Sequence, residues 1–324
     1  MKVLRKCPAC DSQELRDVDL ETNLTSQHKA LIGQAVMWEA SYASCPQCEL
    51  MFARNRQEQG EIDAYYAAFA AIEKRKYTVY PLPEEFIELQ SAFSERLIGK
   101  LRDAQLISPD ISVLNIRCEC GIHLEKLRDE YDIKDVYGLD YFESNLRHAR
   151  EKLGLNNVGM LEPYLDELPF GQKKFDLILA NHLLTHALDP MGLLRLLRDR
   201  LSPGGAIVFY NELDHIPIMD MKKVFSRGIV SYHKQLLTRA SLENMLRSAG
   251  YDTEWLDYDP VGIKWASGCH SLSIIGRPNN AGTTSTAIND AQDGLYNAYL
   301  EGRRKYSLQR LLAKAKKCGN KFLN

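Results

Sequence analysis

The 324-residue sequence has no apolar run long enough to cross a bilayer, which for a helix takes about 20 residues. It has no surplus of charge either. The 41 Lys and Arg stand against 43 Asp and Glu, a formal net charge of −2. No global field therefore draws the chain to nucleic acid or anionic lipid, and any such contact has to come from a local patch. The composition of a disordered chain is missing too, since hydrophobic residues make up 45% and charged residues 26%. The first fifteen residues reach charged side chains and a Cys-Pro-Ala-Cys turn before any apolar stretch, so no secretory signal is expected, and the chain is expected in the cytoplasm. Its length exceeds that of one typical domain and points to a core with smaller modules.

Cysteine, by contrast, is well supplied. Eight are present, and in a long chain of this kind reduced or metal-bound thiols are expected rather than disulfides. Four fall in two pairs, Cys7-Pro-Ala-Cys10 and Cys45-Pro-Gln-Cys48. A two-residue gap lets both thiolates of a tight turn point at one tetrahedral ion, and two such turns complete a closed four-sulfur set with no position left for catalysis. The ion expected on Cys7, Cys10, Cys45 and Cys48 is structural zinc, whose binding energy is gained only when folding brings both turns together. Alternating residues before the second turn, Trp38 to Ala43, and after it, Leu50 to Ala53, read as a hairpin, so the module resembles a zinc ribbon. A redox role for either pair would need a βαβ setting that neither has, and His28, between the pairs, reads as a surface histidine.

Residues 61–104 read as helical, divided by Pro81 and Pro83, with an amphipathic second part through Phe86, Phe93, Leu97 and Leu101. From Ile111 onward short apolar strands alternate with helices, the pattern of a parallel sheet covered on both faces. Strands are expected at Ser112 to Ile116, Asp135 to Leu139, Asn157 to Leu161, Phe175 to Leu179 and Gly205 to Tyr210. Helices are expected at Ile122 to Glu130, Glu143 to Leu153 and Gly192 to Leu201, the last stopped by Ser202-Pro203-Gly204-Gly205.

Six fragments then carry a resemblance. They are Val113-Leu114-Asn115-Ile116-Arg117-Cys118-Glu119-Cys120-Gly121, Val136-Tyr137-Gly138-Leu139-Asp140, Leu168-Pro169-Phe170, Phe175-Asp176-Leu177-Ile178, His186-Ala187-Leu188-Asp189-Pro190 and Leu201-Ser202-Pro203-Gly204-Gly205. In this order they resemble class I S-adenosylmethionine-dependent methyltransferases over roughly Ile111 to Pro278. The four-cysteine front end followed by Tyr65-Tyr66 narrows the resemblance to a zinc-ribbon subgroup that includes sugar C-methyltransferases and enzymes of polysaccharide or natural-product clusters. It implies an α/β fold: a doubly wound, Rossmann-like sheet behind the ribbon, followed by a helical tail. The expected division is a zinc ribbon at 1–56, a helical connector at 57–110, the methyltransferase-like domain at 111–278, and a linker with a basic helical tail at 279–324.

In such a sheet the ligand lies beyond the carboxyl ends of the strands, at the switch point. The resemblance accordingly implies cofactor contacts from Asn115, Arg117, Glu119 and Gly121 after the first strand, from Asp140 and Tyr141 after the second, from Tyr164 and Leu165, and from Asn181. Asp140 would accept from the ribose hydroxyls; a helix cap is its plain alternative. The family's Asp-x-Gly-x-Gly-x-Gly loop is altered here, with Asn115 for the leading acid and Arg117 and Glu119 at two glycine positions. Glycine serves there because the backbone takes angles closed to other residues. Tyr164 stands where an acid aimed at the adenine is common, and stacking is the contact a tyrosine would give.

His182, His186, His233 and Glu212 are candidates for the general base, each with packing or structural hydrogen bonding as its alternative. The tail from about Leu295 carries Arg303, Arg304, Lys305, Arg310, Lys314, Lys316, Lys317 and Lys321, with no acid after Glu301. A helix docked on its own chain or a partner protein is the simpler reading, and binding to an anionic surface the sharper one. The function expected is methyl transfer from S-adenosylmethionine to a small-molecule acceptor, such as a nucleotide-sugar, glycan or natural-product precursor. The alternatives are a methyltransferase-like scaffold that has lost cofactor use and a regulatory zinc-ribbon protein acting through its tail.

Overall fold

Alternation of apolar residues sorts the central strands between two hydrophobic layers. In a computed structural model of the chain, which describes residues 2–20, 22–23, 41–56, 60–61, 80–162, 165, 167–219, 229–230, 233–260, 270–279 and 294–319, that sorting is explicit. The front of the chain holds β1 (Lys2–Val3), β2 (Arg16–Val18), β3 (Thr22–Asn23), β4 (Tyr42–Ser44), β5 (Met51–Ala53) and β6 (Asn55–Arg56). Then come α1 (Glu84–Asp103), β7 (Ser112–Ile116), α2 (Ile122–Glu130), β8 (Asp135–Asp140), α3 (Glu143–Glu151), β9 (Val158–Met160) and β10 (Phe175–Asn181). A short 3-10 turn (Leu184–His186) leads to α4 (Pro190–Arg198), β11 (Leu201–Asp214), α5 (His215–Met219), β12 (Ile229–Val230) and β13 (Gln235–Leu236). The chain closes with α6 (Arg239–Ser248), β14 (Tyr251–Pro260), β15 (His270–Pro278) and α7 (Gly294–Gly319).

The seven-stranded sheet runs β14-β15-β11-β10-β7-β8-β9. Only β15 is reversed within it, pairing antiparallel with both β11 and β14. The chain order turns round between β7 and β10, which makes that gap the switch point. One face packs Val113, Leu177, Leu179 and Val208 against Leu97 and Leu101 of α1, Leu124 of α2 and Leu146 of α3. The other packs Leu114, Ile116, Ile178 and Phe209 against Leu194 of α4, Leu242 and Met245 of α6, and the ribbon's Cys45, Cys48 and Phe52. The ribbon is therefore a second cover of the sheet, not a satellite. Its own four-stranded sheet, β13-β5-β4-β2, takes one strand from beyond the large sheet's central part, with Gln235 opposite Phe52.

Expected and observed bounds agree for β7 and α2 and differ by a few residues elsewhere. β11 is far longer than expected because Pro203-Gly204-Gly205 enters the strand as an irregularity: Phe175 pairs Leu201 and Leu177 pairs Ala206, with Gly204 at φ 82°. α4 starts at Pro190, two residues early, because Asp189 caps it by accepting from the Gly192 N–H at 2.9 Å. Of the connector, α1 is described, and Tyr65-Tyr66 and His28 lie outside the described residues. The tail helix is present, and its front docks on the chain itself. Leu295 and Tyr299 are buried against Val18, Tyr42, Met51 and Leu236, and Arg303 pairs with Asp19 at 3.0 Å. No helix among the described residues is long and apolar enough to cross a membrane.

Candidate functional site

The loop after β7 keeps a backbone that its side chains do not favour. Arg117, Glu119 and Gly121 have φ of 59°, 51° and 88°. All three are left-handed, at the positions where the resemblance has glycine. Placing a non-glycine residue there costs on the order of 1 kcal/mol or more, so the surrounding contacts must hold the loop. They do. The Glu119 N–H donates to Asp140 Oδ2 at 2.9 Å, the Cys118 N–H to the Leu139 carbonyl at 2.9 Å, and the Arg117 guanidinium to the His182 carbonyl. Gly138 allows the approach, because a Cβ there would meet Cys118 Sγ and a Leu124 methyl at 2.8 Å.

Asp140 is buried and braces this loop. Its Oδ1 accepts from the Phe142 N–H at 3.0 Å and from Asn145 Nδ2 at 2.9 Å. Burial raises its carboxyl, while these donors pull it back. Glu119 is half-buried with its carboxyl turned inward: Oε1 accepts from Asn181 Nδ2 at 3.2 Å, and the buried Oε2 has no partner among the described residues. Burial pushes its carboxyl up to about 7, with Asp140 adding to the rise and Arg117 opposing it. Asn181 Nδ2 also reaches the Arg117 carbonyl at 3.3 Å, and Tyr141 lies 5.8 Å under the Arg117 guanidinium. Loop, Asp140, Tyr141 and Asn181 are thus one connected group. Asn115 is set apart from it, fully buried with Oδ1 accepting from the Tyr210 hydroxyl at 3.2 Å. Leu165 packs on the core beside this region, and Tyr164 lies outside the described residues.

The three histidines converge. His182 follows β10, His186 ends the 3-10 turn, and His233 precedes β13; their ring centroids are 4.8, 5.5 and 5.3 Å apart, with planes between 72° and 84°. One ring nitrogen from each lies within 4.8 Å of the others. Burial, then Arg117, hold the His182 imidazole down to about 3, and burial keeps His233 well below its ordinary value. His182 and His233 are neutral near pH 7. Glu212 lies beside the cluster, with Oε2 3.8 Å from His182 Nδ1. Its Oε1 accepts from the Leu184 N–H at 2.7 Å and its Oε2 from the Thr185 hydroxyl at 2.8 Å and N–H at 3.2 Å, so it fixes the turn that carries His186.

The four cysteines also meet, with Cys7 Sγ 3.5 Å from Cys48 Sγ and Cys10 Sγ 3.6 Å from Cys45 Sγ. A tetrahedral zinc with bonds of about 2.3 Å sets sulfurs roughly 3.8 Å apart, so the donor set fits that ion. Each turn ends alike, with Asp11 at φ 59° and Glu49 at φ 60°.

Residues 85–255, more than half of the chain, match the family described as a methyltransferase domain. The chain belongs to that methyltransferase family. The chain is 25% identical over 127 residues to malonyl-[acyl-carrier protein] O-methyltransferase 2 of Ilyobacter polytropus, covering 39% of this chain and 48% of that one. It is 26% identical over 183 residues to the ubiquinone biosynthesis O-methyltransferase of Dinoroseobacter shibae, covering 51% and 70%. It thus spans about half the length of the first relative. Among solved structures, the YcgJ protein of Bacillus subtilis superposes with a TM-score of 0.43 at 14% identity, over 58% of this chain and 99% of that one.

Two features of the chain had no mark in its sequence. Asn211, at φ 59° in a register shift of β11, turns its carbonyl to His182 Nδ1 at 2.9 Å. Arg56 is 5% exposed, with no guanidinium partner among the described residues, beside buried Lys234, which burial and then Arg56 lower to about 7. Neither an asparagine in a strand nor an arginine after a ribbon announces such a place.

Proposed function

We propose that this chain transfers a methyl group from S-adenosylmethionine to a small-molecule acceptor. The observation that carries the reading is the loop after β7, which holds left-handed backbone at residues 117, 119 and 121 although two of the three are not glycine. A chain with no use for the loop's shape would have no reason to keep that strain. The residues present fit the cofactor by their chemistry. The buried Glu119 Oε2 is an acceptor without a partner among the described residues, suited to an ammonium group, and the loop amides are donors for a carboxylate. Loop residues 117–121, Asp140, Tyr141, Leu165 and Asn181 would hold it, with Tyr164 placed by its position in the sequence.

The cofactor supplies an electrophilic methyl group; the chain's part is alignment and control of the acceptor's proton. Neutral imidazoles at His182 and His233, with the His186 ring against both, offer lone pairs that orient a hydroxyl by accepting its hydrogen. Oxygen acceptors are favoured by the relatives, which are named O-methyltransferases. A nucleotide-sugar or glycan precursor is the finer proposal, resting on the ribbon resemblance. We also infer that Cys7, Cys10, Cys45 and Cys48 hold a structural zinc.

Calorimetric titration with S-adenosylmethionine and S-adenosylhomocysteine tests the reading. Both should bind, and Asp140→Ala should weaken binding about tenfold or more, equivalent to some 1.4 kcal/mol. Absence of heat and of any thermal shift, with the fold intact, replaces the enzyme by a scaffold.

A further inference from the structure

Two segments that are distant in sequence deliver the histidine cluster, one carrying His182 and His186 and the other His233, and each is pinned. The His182 N–H donates to the Tyr210 carbonyl at 2.8 Å and the His182 carbonyl accepts from Arg117, which holds the residue at φ 45°. Glu212 fixes the turn of His186. The Lys234 N–H donates to the Thr185 carbonyl at 2.8 Å, and the Tyr42 hydroxyl to the His233 carbonyl at 3.0 Å. Two non-glycine residues in left-handed backbone, His182 and Asn211, meet here, which is where strain tied to function collects. Because a carbonyl only accepts, the 2.9 Å contact to Asn211 puts the proton of His182 on Nδ1 and leaves the lone pair on Nε2. A metal-binding histidine is oriented by its second nitrogen in this same way. His215 stands outside this set. Its Nδ1 is engaged by Leu237, 3.0 Å from the N–H and 3.2 Å from the carbonyl, and although its ring lies 5.7 Å from that of His233 it is not among the three whose nitrogens converge.

We propose that His182, His186 and His233 form a second metal site, which binds a divalent transition metal, zinc in the first instance, and leaves one coordination position open. Nitrogens about 2.0–2.1 Å from a tetrahedral zinc put imidazole centroids roughly 5.2 Å apart. The three observed separations, 4.8, 5.5 and 5.3 Å, bracket that value. The nitrogens themselves lie within 4.8 Å of one another, against about 3.3 Å around such an ion, a closure that small side-chain rotations supply. Three imidazoles without a carboxylate or thiolate select a borderline ion over magnesium or calcium. The open position is the difference from the four-cysteine set, whose tetrahedron is complete. It suits an oxygen of the acceptor, which the ion would orient and make more acidic. For that role the proposal rests on the methyl-transfer reading; for the metal itself it does not.

Metal analysis of the full chain purified with zinc and then dialysed should give about two ions per chain, one for each set. His186→Ala and His233→Ala should each lower the count to one, with the ribbon's ion retained. Zinc titrated into chain that already holds its ribbon ion should bind with micromolar or tighter affinity and raise the thermal midpoint, and His186→Gln should abolish both effects while folding normally. One ion per chain, no further heat with zinc and no difference from the His variants would mean a packed histidine cluster only and overturn the site. Titration of the same samples with S-adenosylmethionine separates the two readings. Cofactor binding with a single metal ion sinks the histidine site alone, and two ions without cofactor binding sink methyl transfer alone.

Discussion

At Glu119 the backbone asks for a residue without a Cβ and the sequence supplies a carboxylate instead. Its pKa of about 7, against an ordinary 4.5, comes from burial first and Asp140 second. A raised carboxyl contributes its stability below the unfolded value and loses it as the pH climbs through the folded one. Wild type should therefore lose up to about 3 kcal/mol relative to Glu119→Gln between roughly pH 5 and pH 8. Urea denaturation of both proteins at the two pH values checks this, and parallel pH profiles would refute it. The residue scale is also where the sequence is least informative. Which of His182, His186 and His233 meet was not legible, because their convergence depends on left-handed turns at His182 and Asn211 that neither residue type demands. Asp140 was legible by its place after an apolar strand, yet its Oδ1 is engaged by Phe142 and Asn145 and its Oδ2 by the loop, so the cap-like alternative is part of its role.

Among the elements, the 3-10 turn Leu184–His186 shows how little separates scaffold from site. Three donors converge on Glu212, at 2.7, 2.8 and 3.2 Å. Replacing one oxygen by an amide nitrogen turns an acceptor toward backbone donors, and a buried donor left unmade costs about 1–3 kcal/mol. Glu212→Gln should lose that much in a denaturant melt, and a loss below half a kcal/mol would show that the turn holds without it. Strands and helices with a strong period were readable in advance, as β7 and α2 show. β14 and β15 were not foreseen. A reversed strand such as β15 follows from its pairing between β11 and the edge strand β14, and nothing in its own composition announces direction.

At the scale of the whole molecule, the ribbon and the sheet share a core. Phe52 and the cysteines pack in one cluster with Leu114, Ile178 and Leu242, and β13 completes the ribbon's sheet. Zinc loss is thereby predicted to open both partners together. Hydrogen exchange on Cys45→Ser, or after strong chelation, should show lost protection at residues 42–53 and at 235–236 in the same step. Protection that persists at 235–236 while 42–53 opens would mean that the strand belongs to the large domain alone. The cysteine spacing made the four-cysteine cluster legible in the sequence, but the dependence of its sheet on residues near 235 was not, because strand pairing over such a separation leaves no local trace.

That shared strand also sets a timetable. At about 5–20 residues per second, a ribosome reaches Gln235 roughly 10–40 s after it has made Ala53. Both cysteine turns are out long before then, so the four thiols can meet while β5 still lacks its neighbour. During that interval the β5 flank, built from Met51, Phe52 and Ala53 that are fully buried in the finished fold, is a bare edge open to other nascent chains. The order of synthesis, and not only the supply of metal, thus decides when the ribbon ceases to be an aggregation hazard.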